Sequence, residues 1–224
     1  VEGGETILVH GDYDVDGVTG TTVLMRLFSL IGAKAVWHIP NRMVDGYSFG
    51  THSLERAKAT GATLVISVDN GTSAFETIAA LKAAGVDTIV TDHHEPPPPH
   101  PEYGALPDAV AIVNPKLPTS EYPWRELCGG AVAFKLAWAF ARKLEAGPDG
   151  AGRVSPRMKA FLEDSLSYVA IATLCDVVPL KDENRIFARA GLASLVRSKN
   201  PGLAALARVA GLSDKPRLSA QDVT

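Results

Sequence analysis

Carboxylate and imidazole side chains follow two short apolar runs of this sequence, at spacings that suit metal binding. The run 6–10 is followed by three alternate aspartates: Asp12, Asp14 and Asp16. The run 87–91 is followed by an aspartate and two adjacent histidines: Asp92, His93 and His94. Carboxylates and imidazoles without thiolates suit Mn²⁺, and suit Mg²⁺ or Zn²⁺ less well. The two clusters therefore indicate metal chemistry, with phosphate as the leading substrate group.

The elements that carry these side chains are predicted from the apolar pattern. Short β-branched runs predict strands, and helical patterns lie between the first four of them. The strands are predicted at 6–10, 35–39, 64–68, 87–91 and 109–113, and the helices at 18–30, 53–59 and 75–84. This alternation predicts an α/β fold with a parallel, five-stranded, Rossmann-like sheet flanked by helices. Parallel strands share one carboxyl edge, so distant ligands are expected to meet in one crevice.

Beyond the sheet, the pattern becomes helical only. Helices are predicted at 131–144, 158–174, 184–196 and 203–209, which form a helical C-terminal segment. The segment 146–156 is rich in glycine and proline and is predicted to be a flexible break. Residues 1–200 are expected to form one catalytic domain.

Two further aspartates stand where elements end. Asp69 closes the third predicted strand. Asp176 lies at the end of an apolar helix, where the helix dipole disfavours a lone carboxylate and a cation would remove that penalty. Two cations sharing Asp69 would lower the pKa of a water between them and stabilise both oxygens exchanged at a phosphodiester. Neighbouring side chains of an extended chain point oppositely, so one of His93 and His94 is expected on the metal and the other toward substrate.

Bulk composition limits the class of protein. The 224 residues, 46% apolar and 21% charged, allow one large or two small globular domains. No stretch approaches the ~18 to 20 uncharged apolar residues of a membrane span, and the first residues form no signal segment. Cys128 and Cys175 fit buried, reduced thiols. A soluble, cytoplasmic protein without a membrane partner is expected.

The net charge of −3 conceals an asymmetry along the chain. Residues 1–184 carry 15 basic and 23 acidic side chains, whereas residues 185–224 carry 7 basic and 2 acidic ones. Two divalent cations would neutralise four of the carboxylates, so the acidic part is compatible with a polyanionic substrate. The basic tail fits either phosphate contacts or a solvated helical face.

Other metal and phosphate motifs fit the sequence less well. An EF-hand loop starting at Asp12 would need a glutamate where Val23 stands. In haloacid dehalogenase phosphatases, whose aspartate loop is similar, a histidine pair has no role. Neither a dinucleotide fingerprint nor a P-loop is present. His38 and His52 are predicted to be surface or satisfied histidines rather than ligands.

Together, these residues resemble the DHH phosphoesterase superfamily and, within it, the bacterial RecJ single-strand exonucleases. The stretches 10–17, 68–71, 92–94 and 175–180 resemble its first four motifs. Shorter likenesses lie at 39–42, 112–115, 129–134 and 183–185, so the resemblance covers nearly the whole chain.

The resemblance implies roles for individual residues. One Mn²⁺ would be held by His10, Asp14 and Asp69. The other would be held by Asp16, Asp69, His93 and Asp176. His94 would contact the scissile phosphate and act in catalysis with Asp69 and Asp16. Asp12 and Asp92 would orient ligands, and Asn41 and Arg42 would contact substrate.

The same resemblance implies a Mn²⁺-dependent 5′→3′ exonuclease on single-stranded DNA that releases 5′-mononucleotides during DNA repair and recombination, with repair-assembly proteins as partners. Alternatives are a DHH enzyme for oligoribonucleotides, cyclic dinucleotides or pyrophosphate, and an inactive replication or repair scaffold. At 45–48 the sequence Asp-Gly-Tyr-Ser departs from the acidic-Gly-Tyr-Gly stretch usual in the family. Residues 201–224 are expected to begin a linker to a second domain, DHHA1, so the chain is interpreted as an excised catalytic core or a processed fragment.

Overall fold

Five parallel strands form a single sheet at the centre of the protein. The computed structural model describes residues 3–45, 49–145, 147 and 152–224. The strands are β1 (Ile7–Gly11), β2 (Ala35–His38), β3 (Leu64–Val68), β4 (Asp87–Thr91) and β5 (Ala111–Val113). Their order is β2-β1-β3-β4-β5, and each pairing is parallel. The predicted α/β fold with a parallel five-stranded sheet is confirmed.

Helices cover the sheet and then continue beyond it. They are α1 (Val15–Ile31), α2 (Thr51–Thr60), α3 (Phe75–Ala83), α4 (Gly129–Glu145), α5 (Pro156–Cys175), α6 (Asp182–Val196) and α7 (Pro201–Val209). A short 3₁₀ helix, Ala220–Asp222, follows. The helical C-terminal segment is therefore also confirmed. None of the helices in the described ranges has the length and apolar character needed to cross a bilayer.

Strand β1 shows how the sheet separates two apolar layers. Val9 packs with α1, α4 and α5, whereas Leu8 points the other way and packs with α2 and α3. This alternation follows from the period of two in a strand. Buried on both faces, the sheet leaves its carboxyl edge as the place where polar side chains collect. The chain changes direction across the sheet between β1 and β3, the position where open α/β sheets bind ligands.

Some predicted boundaries were wrong, and side-chain caps explain the two helix starts among them. Helix α1 begins at Val15 rather than residue 18, because the Asp14 side chain accepts a hydrogen bond from Gly17 N at 3.0 Å and caps the helix. Helix α5 begins at Pro156 because Ser155 caps it. Strand β5 begins at Ala111 rather than residue 109. The departure at 46–48 and residues 146 and 148–151 of the predicted break lie outside the described residues.

Candidate metal centre

The loop after β1 places three aspartates at the switch point of the sheet. Asp12 lies in the loop and its Oδ1 accepts a hydrogen bond from Tyr13 N at 2.8 Å. Asp14 caps α1, and Asp16 lies in the first turn of that helix with 2% of its surface exposed. Burial, followed by the nearby Asp14, raises the pKa of Asp12. The loop therefore concentrates carboxylates where water is partly excluded.

The Asp16 carboxylate is fixed by the start of α4. Gly129 N and Gly130 N each donate a hydrogen bond to it at 2.6 Å. A Cβ on Gly129 would lie 2.5 Å from Asp69 Oδ1, so the close approach requires glycine. Sequence reasoning gave these glycines no role. The available signal was a glycine pair directly before an apolar helix, which suggests amides facing an anion.

Asp69 lies at the centre of the carboxylates, just after β3. Its φ of 65° is in the left-handed region, which costs free energy for a non-glycine residue. Its Oδ1 is buried and accepts no hydrogen bond from any residue that the structure describes. Burial, reinforced by the charges of Asp16 and Asp14, raises the pKa of Asp69 to about 11. Without a cation, these surroundings favour the protonated form of the carboxyl group.

His93 faces three of these carboxylates. Its Nε2 lies 3.1 Å from Asp69 Oδ1, 3.6 Å from Asp16 Oδ2 and 3.8 Å from Asp176 Oδ2. Burial lowers the pKa of His93, although the charge of Asp16 acts in the opposite direction. A neutral imidazole surrounded by carboxylate oxygens is the form that binds a metal ion.

Asp92 anchors the histidine pair. Its Oδ1 accepts hydrogen bonds from His93 N (2.8 Å), His94 N (3.2 Å) and His94 Nδ1 (2.8 Å), and its Oδ2 accepts one from Thr72 N (2.9 Å). Burial alone would raise the pKa of Asp92, but these hydrogen bonds from His94 and Thr72 lower it. Asn114 also donates to the His94 carbonyl oxygen at 2.9 Å.

The two histidines differ in exposure. The side chain of His93 is 9% exposed and that of His94 is 60% exposed. The hydrogen bond to Asp92 is the main cause that raises the pKa of His94. The buried ring therefore faces the carboxylates as a neutral group, while the exposed ring is held at the surface in a form that readily carries a proton.

Asp176 closes the centre from the end of α5. It is the C-cap residue of that helix, and the next residue, Val177, has a φ of 58°, unusual for a β-branched side chain. Burial, with the charge of Asp14 next, raises the pKa of Asp176. A carboxylate at a helix C-terminus is disfavoured by the dipole, and a cation would offset this.

His10 occupies a different position from the other predicted ligands. Strand alternation directs it to the same face as Leu8, where its ring lies 5.1 Å from that of His38 and 5.3 Å from that of His52, centroid to centroid. Its closest ligand group contains these two histidines rather than Asp14 or Asp69. The sequence gave no reason to expect this histidine cluster, because its members come from three separate elements.

The predicted substrate contacts lie on the loop after β2. Asn41 is exposed, and its Oδ1 accepts a hydrogen bond from Met43 N at 2.9 Å. The Arg42 guanidinium lies over the Tyr13 ring, 5.3 Å from its centroid. Because Tyr13 stands between Asp12 and Asp14, this stacking holds a positive charge beside the aspartate loop.

The side chains of this crevice fit divalent cations. Among the described residues of the crevice, three groups have candidate ligand atoms within 4.8 Å of one another: Asp12, Asp14 and Asp69; Asp16, His93 and Asp176; and Asp69, His93 and His94. Asp69 and His93 each belong to two of the groups. Crowded carboxylates with raised pKa values and the unpartnered Oδ1 of Asp69 are relieved by a bound cation.

Fold and site together define an α/β protein with a crevice of carboxylates and imidazoles at the switch point of its sheet. A sequence model described as the DHH family, N-terminal domain, matches residues 6–171. The chain belongs to the DHH family, which confirms the resemblance seen in its motifs.

Similar proteins carry related names. The single-stranded-DNA-specific exonuclease RecJ of Bacillus subtilis is 40% identical over 207 residues, 92% of this chain and 23% of the relative. The protein of the same name from Salmonella typhimurium is 38% identical over 98% of this chain and 37% of its own length. The chain thus spans well under half the length of these relatives.

Solved structures of proteins with the same name also match nearly all of this chain. A crystal structure of exonuclease RecJ bound to manganese matches all of this chain and 51% of its own, with a TM-score of 0.80 and 31% identity. RecJ from Thermus thermophilus in complex with Mn²⁺ matches 99% of this chain and 28% of its own, with a TM-score of 0.76 and 31% identity.

Proposed function

We propose that this chain is the catalytic core of a Mn²⁺-dependent phosphodiesterase that degrades single-stranded DNA from the 5′ end and releases 5′-mononucleotides. The observation that supports this most is the approach of His93 Nε2 to carboxylate oxygens of Asp16, Asp69 and Asp176, from four separate elements. The names of the similar proteins support single-stranded DNA as the substrate and a divalent cation as the cofactor. The preference for Mn²⁺ rests on the mixed carboxylate and imidazole ligands. The polarity of cleavage rests on the family resemblance.

Two cation sites are part of the proposal. Asp16, Asp69, His93 and Asp176 would hold one ion, and His10, Asp14 and Asp69 would hold the other. Asp69 suits the shared position because it lies in range of both the Asp12–Asp14 loop and His93. The role of His10 as a ligand is supported by its buried Nδ1, which has no hydrogen-bond partner in the described ranges. Burial also lowers the pKa of His10 to about 3, which favours the neutral ring.

The chemistry divides between the cations and the chain. When bound, two divalent cations activate water and stabilise the charge of a phosphodiester undergoing attack. The chain holds the ligands of these cations in place: Gly129 and Gly130 donate hydrogen bonds to Asp16, and Asp92 accepts one from the backbone of His93. His94 is exposed, and its bond to Asp92 favours the protonated ring, which can donate a hydrogen bond to a phosphate oxygen. Arg42 would contact a neighbouring phosphate, with Asn41 beside it.

The proposal extends to the context of this core. Residues 1–200 would form the catalytic domain, and residues 201–224 would lead to a second domain that helps hold the strand. The place of action would be the bacterial cytoplasm, within repair assemblies on DNA.

The test is hydrolysis by the purified chain with Mn²⁺. We expect 5′-mononucleotides from a labelled single strand, and loss of both hydrolysis and Mn²⁺ binding in Asp69→Ala. Asp87→Ala, an exposed aspartate at the start of β4, is the matched control. Cleavage of short RNA, cyclic dinucleotides or pyrophosphate, with long single strands left intact, would overturn the assignment of single-stranded DNA as the substrate. A folded chain that binds no Mn²⁺ would overturn the proposed phosphodiesterase activity and favour a scaffold.

A further inference from the structure

Three histidines form a cluster next to the acidic centre but on the α2 side of the sheet. His10 and His38 are register neighbours on the parallel strands β1 and β2, and His52 lies in the first turn of α2. One ring nitrogen from each lies within 4.8 Å of the others. The His38 and His52 ring centroids are 5.5 Å apart. The fold thus brings three imidazoles together without placing an aspartate in the same group.

Hydrogen bonding leaves part of this cluster unsatisfied. His10 is fully buried, and its Nε2 lies 3.0 Å from Ser53 Oγ and 3.3 Å from His52 Nε2. His38 Nε2 is buried and has no hydrogen-bond partner among the residues described. Such an atom costs free energy unless a ligand or a water satisfies it.

The ligand type suits a cation rather than an anion. His10 is fully buried and the three rings lie close together, so protonation of all three would bring like charges together in a poorly hydrated place. Neutral imidazoles keep a lone pair that can bind a metal ion.

The spacing of two ring nitrogens fits a zinc site. In a tetrahedral site with Zn–N distances of about 2.0–2.1 Å, ligand nitrogens stand roughly 3.3–3.4 Å apart. The Nε2 atoms of His10 and His52 are 3.3 Å apart. Imidazole ligands suit Zn²⁺, whereas Mg²⁺ and Mn²⁺ prefer oxygen ligands. His38 and His52 are only partly buried, which leaves access from solvent.

We propose that His10, His38 and His52 form a site for Zn²⁺ on the α2 side of the sheet, which shares only His10 with the ligands proposed for Mn²⁺. Three imidazoles bind the ion, and the fourth position is open to water or another small ligand. This assignment does not depend on the proposed nuclease activity.

One consequence rests on the proposed function, because that proposal gives His10 a role in the acidic centre. A neutral imidazole has a single lone pair for metal binding, since its other nitrogen carries the proton. His10 in neutral form therefore serves one ion at a time. Zn²⁺ in the histidine site withdraws His10 from the acidic centre and weakens Mn²⁺ binding there.

Zn²⁺ titration calorimetry tests the site itself. The double variant His38→Gln and His52→Gln should bind one equivalent of Zn²⁺ fewer than the unmodified chain. His100→Gln removes a histidine outside the cluster and should bind as the unmodified chain does. Co²⁺ as a probe should give the intense visible absorption of a four-coordinate site, which Zn²⁺ abolishes. Equal stoichiometry and equal Co²⁺ spectra in all three proteins would overturn the proposal.

A crystal of the unmodified chain soaked with Zn²⁺ keeps the test independent of how the variants fold. An anomalous peak among the three rings is expected, and a peak only among the aspartates contradicts the site. The consequence for His10 is measured by Mn²⁺ electron paramagnetic resonance, without activity. One equivalent of Zn²⁺ should release Mn²⁺ from the unmodified chain and release less from the double variant. Equal release from both overturns the competition, while the Zn²⁺ stoichiometry still decides the site.

Discussion

His93 Nε2 lies 3.1 Å from Asp69 Oδ1, yet that carboxylate oxygen accepts no hydrogen bond within the described part of the chain. Burial raises the pKa of Asp69 and lowers that of His93, so without a metal the neutral form of both groups is favoured. A cation between them changes this state, because it requires the carboxylate and the free imidazole lone pair. Proton uptake and metal binding therefore compete at Asp69.

This competition predicts how the stability of the metal-free chain depends on pH. Because the folded-state pKa of Asp69 is raised above its unfolded value of ~4, the native state holds the proton more tightly. The protonated Asp69 therefore stabilises the folded chain fully at pH values below ~4, and this stabilisation is lost as the pH rises through the folded-state pKa. The unfolding free energy, measured by urea titration with a chelator, should therefore fall with rising pH. The unfolding free energy of Asp69→Asn should fall less over the same pH range.

With Mn²⁺ present, the unfolding free energy of the unmodified chain should rise with pH instead of falling. The ion should stabilise the chain more at higher pH, because fewer protons must then be displaced from its ligands. Asp87→Asn is the control, and its pH profile should match that of the unmodified chain. An unchanged pH dependence in Asp69→Asn would show that another group titrates.

Asp92→Asn should lower the pKa of His94. The carboxylate is the main cause of the raised pKa, and an amide lacks its charge. The substitution also presents an NH₂ group to donors such as Thr72 N, which should cost about 1–3 kcal/mol of unfolding free energy. NMR titration of the His94 ring measures the first effect and thermal unfolding the second. An unchanged pKa of His94 in Asp92→Asn would show that the Asp92 carboxylate does not raise it.

Gly129→Ala should weaken Mn²⁺ binding and reduce hydrolysis roughly 100-fold, as expected when a reactive group is displaced by about an ångström. The added Cβ would lie 2.5 Å from Asp69 Oδ1, so the carboxylate must move. Gly202→Ala, at the start of α7, is the control. Calorimetric Mn²⁺ affinity and turnover should fall together. Full activity in a folded Gly129→Ala protein would show that the position of Asp69 is not critical.

Arg42→Gln should weaken binding of single-stranded DNA without changing Mn²⁺ affinity. If Arg42 neutralises one phosphate, the slope of log affinity against log salt should decrease by roughly 0.7. Fluorescence anisotropy with Ca²⁺ in place of Mn²⁺ measures this without cleavage. Arg157→Gln, an exposed arginine at the start of α5, should leave the slope unchanged. An unaltered slope in Arg42→Gln would remove Arg42 from the substrate contacts.

Strands β3 and β4 were predicted at their observed bounds because β-branched runs end sharply at polar residues. Helix starts were harder to predict. Asp14 was interpreted only as a ligand, although its side chain also caps α1. The glycines at the start of α4 were not assigned to the helix because glycine is a poor helix former, but here their amides bind Asp16.

The ligand types of the centre could be predicted because each stands at the end of a strand or helix. Their arrangement required the tertiary structure. The sequence spacing of His10, His38 and His52 gives no sign that α2 folds over β1 and β2. The left-handed φ of Asp69 is likewise imposed by packing rather than by the local sequence.

The most direct measurement of the two-cation centre is an anomalous difference map from crystals soaked in Mn²⁺. Two peaks are expected beside Asp69, one within coordinating distance of Asp16, His93 and Asp176 and the other within coordinating distance of Asp14 and His10. A map without a peak between Asp69 and His93, from crystals that hold Mn²⁺ elsewhere, would contradict the proposed centre.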